Sequence, residues 1–411
     1  MERAATLLWW VLLVACAVGL WAAHAAAKGG GPGEGPPAGE EAAGRWALGA
    51  ARAKPDLPVL ERLDLPAMAP AARLRMVPVV AEIAGVEKAK EMLEELRGKA
   101  PRRDFEDFWR IYGELAPPTT DEGFVRRNGW FARLALSRGL PDSHPLRKEL
   151  LAEARRAFLG SSIAIFLGLL ALGAGIALLP IGLSRLRRGR LRLAYEPPPR
   201  TPGDRVWLET VTLLLAGVIA TLFFGALSVW ALLLVPFWPL ARGVGRAEWR
   251  SGLGFSRGAG LVQEIGAGLL GYLAGMPVFL VGILASVFLA RVLGEPLSHP
   301  AMEDVGKGGL AARIELLLAA CVWAPLVEEA VFRGALLRYL RPRMSRLLAA
   351  AVVGLVFAFV HPQGIAGIPA LMAIGGWFAV LREWRGTLVP SMAAHAIHNL
   401  VLVSLSILIL G

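Results

Sequence analysis

The stretch AFLGSSIAIFLGLLALGAGIALLPIGL, from Ala157 to Leu183, holds no charged side chain and is followed at once by Arg185, Arg187, Arg188, Arg190 and Arg192. At ~1.5 Å per residue it exceeds the ~30 Å hydrocarbon thickness of a bilayer. It reads as a transmembrane helix. The five arginines read as a cytoplasmic anchor, because short loops rich in lysine and arginine stay on that side.

Similar apolar runs occupy Thr6 to Ala27, Val206 to Leu240, Ala259 to Leu293, Ala311 to Leu337, Leu347 to Val360, Ile365 to Leu381 and Leu388 to Leu410. The fold class that follows is all-α: a polytopic transmembrane helical bundle of about eight to nine spans, with a small helical soluble domain after the first. A hydrophobic content of 55% over 411 residues excludes an ordinary soluble protein. The net charge of +11 would suit nucleic acid on a soluble surface. Here the arginines flank apolar runs, so the expected partner is the lipid bilayer and not nucleic acid. Cys16 and Cys321 both lie in apolar stretches and form neither a disulfide framework nor a metal-ligand pair.

Five regions are expected. Residues 1–27 are an N-terminal signal anchor or transmembrane helix, although Ala25, Ala26 and Ala27 fit signal cleavage and Leu13 to Cys16 fits lipoprotein processing. Residues 28–44, rich in Gly, Pro and Ala, are a flexible linker. Residues 45–156 are a helical extracytoplasmic domain, with helical periodicity at Val86 to Leu96, Phe105 to Leu115 and Leu146 to Phe158. Residues 157–304 are transmembrane helices, and 305–411 hold the polar motifs described below.

Arg338, Arg341, Arg343 and Arg346 mark a second cytoplasmic loop, and Glu295, Glu303 and Asp304 an outside one. The soluble domain then lies outside. Arg242, Arg246 and Arg250 call for an even number of crossings within Val206 to Leu240, which favours a hairpin broken near Gly225 over one long helix. The Ala, Arg and Gly bias suggests a bacterial genome, and hence a multi-pass protein of the inner membrane.

The chemistry sits in three places. In APLVEEAVFRG, Ala324 to Gly334, the ionisable residues Glu328, Glu329 and Arg333 interrupt an otherwise apolar helix, where charge is costly and calls for a function. Glu329 and Arg333 are four apart with the acid first, the favourable order for a helical ion pair, while Glu328 is rotated by ~100° toward a possible cavity. Pro325 removes a backbone hydrogen bond nearby. The plainer reading is an arginine that snorkels to the cytoplasmic face. His361 ends the next apolar run, followed by Pro362 and with Phe357 one turn earlier. The last run holds Ser391, His395, His398 and Asn399; His395 and Asn399 share a face, which alone would also suit interhelical hydrogen bonding. Gly271 and Gly275 have helix-packing spacing, and Glu264 sits near a span end.

Glu-Glu-x-x-x-Arg at 328 to 333, Phe-x-x-x-His at 357 to 361 and His-x-x-x-Asn at 395 to 399, in that order on separate apolar helices, resemble the CAAX protease and bacteriocin-processing family of intramembrane endopeptidases. The likeness covers about residues 305 to 405. It implies an all-helical hydrolase acting on a peptide or membrane-protein substrate. By that resemblance Glu328 is the general base, His361 helps to hold the water, and His395 and Asn399 donate to the oxyanion. Glu329, Arg333 and Phe357 support them. No zinc is expected, since the His-Glu-x-x-His device is missing, although Glu328, His361 and His395 are all legitimate zinc ligands. The readings that compete are a non-catalytic scaffold or immunity protein of the same fold, and a transporter using the glutamates as proton carriers.

Overall fold

The computed structural model describes residues 2–29, 35–116, 122–224, 226–294 and 309–410, and among these every regular element is a helix. Two compact units result, one of residues 35–167 with 404–410, the other of residues 2–29, 168–294 and 309–403.

The first unit is an amphipathic-helix assembly. Its main helices are α2 (Ala38–Ala53), α3 (Val77–Ala84), α4 (Val86–Leu96), α5 (Arg102–Tyr112) and α6 (Glu122–Leu136). In α4 the buried residues are Ala89, Met92, Leu93 and Leu96, the three-and-four spacing of a single apolar stripe. Helix α2 begins inside the stretch expected to be linker, which corrects the second half of that expectation. Ala-rich sequence forms helix readily once its face is buried, as Ala47, Leu48 and Ala50 are here.

Helix α7 runs unbroken over Pro145–Arg187. The expected boundary at residue 156 therefore falls inside a helix. No proline lies between Leu146 and Leu179, so nothing stops the helix before the apolar run begins.

The second unit contains α1 (Glu2–Gly29), α8 (Arg205–Phe224), a 3-10 segment Ala226–Phe237, α9 (Arg246–Leu253), α10 (Leu261–Leu293), α11 (Leu310–Leu340), α12 (Arg346–Val360), α13 (Ile368–Arg385) and most of α14 (Val389–Leu410). Among the described residues five helices are long and apolar enough to cross a membrane, namely α7, α10, α11, α14 and Ile365–Arg385, and three shorter apolar helices join them. The chain is an integral membrane protein. The acidic loop with Glu295, Glu303 and Asp304, and the break at Gly225, lie outside the described residues. On either side of that break the chain doubles back: Gly217 faces Leu232, and Glu209 accepts from Trp238 and Arg242, so the two arms run antiparallel.

Helix α1 is part of this core. Leu13 and Leu20 are buried with Val206, Leu336, Tyr339 and Phe357 in one cluster, and Trp10 Nε1 donates to the Tyr339 hydroxyl at 3.2 Å. Leu20→Ala is expected to destabilise the protein by ~2–5 kcal/mol, the range for a large-to-small change in a packed core. Unchanged thermal unfolding of that variant in detergent would reduce α1 to a lipid-facing anchor.

Candidate active site

Three helices bring the polar motifs together. Helices α12 and α13 pack closely because glycines face each other; a methyl group on Gly375 would come within 3.0 Å of both Gly354 Cα and Phe357 Cδ1. Phe357 is thereby pressed toward α11 and α14. Its ring lies 4.3 Å from that of His361 and 5.4 Å, edge-on, from Phe332.

Depth follows from helix lengths. Helix α12 has 15 residues, so at ~1.5 Å each it spans ~22 Å, short of a ~30 Å hydrocarbon core. The ten residues from Glu328 to Arg338 correspond to ~15 Å of helix, so the glutamate stands well away from the arginine-rich end.

Around that depth the groups form a ladder. Arg333 Nη1 donates to Glu329 Oε1 at 2.7 Å and Nη2 to the Gly375 carbonyl at 2.9 Å, with both charged side chains fully buried. The guanidinium also lies 4.5 Å from the Phe357 ring centroid and 5.4 Å from that of Phe378. Glu329 Oε1 is 2.9 Å from His395 Nδ1. A carboxylate ionised beside an arginine only accepts, so His395 Nδ1 carries the proton. His361 Nδ1 is 2.7 Å from the Phe357 carbonyl, which fixes the same tautomer. Both rings thus turn Nε2 inward, where Glu328 Oε2 lies 3.8 Å from His361 and 3.9 Å from His395. That oxygen is buried and makes no hydrogen bond within the described protein. One water at ~2.8 Å can touch Glu328 and an imidazole at once, sitting at the apex of the triangle.

Among the described residues no three His, Cys, Asp or Glu side chains converge as a metal-ligand set. Glu328, His361 and His395 come nearest. With bonds of ~2.1 Å, neighbouring ligand atoms on a tetrahedral zinc lie roughly 3.4 Å apart, closer than the separations here.

Asn399 reveals a connection that spacing alone does not. Helix α11 contains a wide π-helical turn at Ala319–Trp323, in which the Ala324 N–H bonds back to the Ala319 carbonyl. The next N–H in that register belongs to position 325, a proline, so the Ala320 carbonyl has no backbone donor. Asn399 Nδ2 supplies one at 2.7 Å. Pro325 thus follows a π turn, and one of the two amide hydrogens of Asn399 is committed to the carbonyl freed there. The signal was Pro325 itself; its partner lies 79 residues away in sequence and only the fold names it.

His398 points elsewhere. Its Nδ1 is 3.3 Å from the Tyr272 hydroxyl, and its ring stands edge-on to Tyr272 on α10. His398→Ala is expected to cost ~1–3 kcal/mol of stability through lost packing, with turnover kept within an order of magnitude, whereas His361→Ala abolishes it. Loss of all turnover in a folded His398→Ala protein would contradict this division. Glu264, in the first turn of α10, accepts from Arg385 at 2.7 and 2.8 Å and from the Ala259 N–H, a structural anchor. Gly271 and Gly275 face Leu381 and Trp377 of α13, as packing glycines do.

No curated protein and no solved structure matches the chain at a significant level. Residues 311–401 match the family described as type II CAAX prenyl endopeptidase Rce1-like. The matched segment runs from the start of α11 into α14, so all three motifs fall inside it, and the rest of the chain lies beyond it. This match agrees with the resemblance carried by the three motifs.

Proposed function

We propose that this protein is an intramembrane endopeptidase that hydrolyses a peptide bond with a water activated by Glu328. The observation that carries the reading is the convergence of one unpartnered carboxylate oxygen and two imidazole Nε2 atoms, within 3.8 and 3.9 Å, from three apolar helices.

Glu328 takes the proton of the water, and His361, its Nδ1–H held by the Phe357 carbonyl, accepts a hydrogen bond at Nε2 and orients the oxygen for attack. The developing oxyanion is met by His395 and by the free amide hydrogen of Asn399. With Nδ1–H committed to Glu329, His395 donates from Nε2 only as the imidazolium, whose charge the neighbouring carboxylate offsets. Glu328, now protonated, returns its proton to the leaving amine. Arg333 and Phe357 hold Glu329 and His361 in place and touch no reacting atom. The mechanism uses no zinc, and activity should survive rigorous chelation.

The substrate is a peptide or a membrane-protein segment that reaches this cluster. The protein resides in a bacterial inner membrane with the arginine-rich loops in the cytoplasm and residues 45–156 outside. A comparison of the N-terminal ends of membrane and secreted peptides from wild-type and Glu328→Gln cells tests the reading. A defined set of new N-termini is expected in the wild type and absent from the variant at equal protein level. Identical sets in both would remove the peptidase assignment.

A further inference from the structure

Arg382 is 1% exposed, and its Nε and Nη1 are buried without a partner. Among the described residues none forms an ion pair or hydrogen bond with its guanidinium. Its neighbours are all matched: Arg338 with Glu248 at 2.9 Å, Arg341 with Glu383 at 2.5 Å, Arg343 with Asp204 at 3.4 Å and Arg385 with Glu264 at 2.7 Å. Among the described residues the carboxylate that acts on it is Glu383, which is already engaged by Arg341, so the guanidinium has no counter-ion of its own. An unpaired buried ion is among the most costly features a fold can carry.

The guanidinium is nevertheless held with care. The Tyr195 ring lies 4.5 Å from its Cζ, and a methyl group on Gly254, whose φ is +90°, would come within 2.5 Å of Cζ and Nη2. Tyr195 is delivered by a strap of chain after α7, in which the N–H groups of Ala194 and Tyr195 donate to the carbonyls of Trp384 and Glu383 at 3.1 Å each. These carbonyls belong to the C-terminal turn of α13, which lacks intrahelical donors.

Two more donors border the same place. The Tyr195 hydroxyl and Arg338 Nε are also buried without partners. Burial pushes the Tyr195 phenol above its ordinary value, so it keeps its proton and donates. Arg338 Cζ would stand 3.2 Å from a methyl group on Gly252, two residues before the glycine beneath Arg382, so both guanidiniums line one turn of α9. The single unpartnered acceptor there, Glu383 Oε2, is 3.7 Å from Arg346 Nε. Several converging donors around an unmatched positive charge, at the arginine-rich end of the helices, suit a tetrahedral oxyanion with many acceptor oxygens.

We propose that Arg382, Tyr195 and Arg338 form a binding site for a phosphate group, distinct from the glutamate–histidine cluster. The phosphate comes from a lipid headgroup or from solution, and binding neutralises the charge that the empty protein leaves exposed to its own interior.

The test follows thermal unfolding of the purified full-length protein, stripped of lipid by detergent exchange, against phosphatidylglycerol vesicles, phosphatidylcholine vesicles and inorganic phosphate. The wild type is expected to gain several degrees with phosphatidylglycerol. An equal gain with inorganic phosphate identifies a free anion, and no gain with it identifies the lipid headgroup. Stripped Arg382→Gln should unfold at or above the wild-type temperature, because the unpaired charge is gone, and should gain nothing from either ligand. Tyr195→Phe keeps the ring over the guanidinium but removes one donor, and should weaken binding about tenfold. A wild type that responds to neither ligand overturns the proposal, as does an Arg382→Gln protein that responds like the wild type. Should Arg382→Gln fail to fold, unchanged binding by Tyr195→Phe has the same force.

Discussion

Glu328→Gln is expected to lower kcat by about 10²–10⁴-fold, the loss that follows removal of a general base, while leaving the fold and KM nearly intact. Glutamine keeps the size and shape of the side chain. It cannot take a proton from water. The fold should tolerate the change because Glu328 Oε2 is bonded to nothing else in the protein and the side chain is only partly enclosed. Single-turnover cleavage of a peptide drawn from the N-terminal comparison, beside the thermal midpoint of each protein, separates chemistry from stability. Retained turnover would take the base assignment away from Glu328.

The second large effect concerns Arg333. Removing one member of a fully buried ion pair leaves the other charge without compensation, so Arg333→Ala is expected to cost ~3–5 kcal/mol and to leave little folded protein. Arg333→Lys should not rescue it. The guanidinium serves two acceptors at once, Glu329 and the Gly375 carbonyl, between two aromatic faces, and a single ammonium cannot reproduce that fork. The double variant Glu329→Gln with Arg333→Met removes both charges and should regain most of the stability without regaining turnover, because His395 then lacks its carboxylate. Denaturant unfolding and cleavage assays on the three proteins check this. A stable, active Arg333→Ala protein would make the pair dispensable.

The spans and the polar motifs were legible because membrane helices obey a strong compositional rule, and a charged residue inside one stands out. The Glu329–Arg333 pair followed from helical spacing, and the Phe357–His361 contact from one turn of separation. Other features depend on chain segments far apart. The partner of Asn399 is a carbonyl freed by Pro325, and no periodicity points to it. The π turns of α11 also shift the angle per residue, so helical faces computed at ~100° drift along that helix. Helix α7 runs on through residue 156 because a change in composition, from charged to apolar, carries no instruction to end a helix. Nothing in the sequence around Arg382 singles it out; its packing against Tyr195 and Gly254 does.

The docking of α1 has a consequence for biosynthesis. Trp10 bonds Tyr339, 329 residues later in the chain. At ~5–20 residues per second, the ribosome makes the second partner roughly 15–65 s after the first. During that interval α1 can pack against α8 once that helix is made, but the α1–α8–α12 core cannot close. The helix bearing His395 and Asn399 is made later still. Assembly of the glutamate–histidine cluster is therefore a late, post-insertion event, and a nascent chain in the membrane passes through most of its synthesis without a competent site.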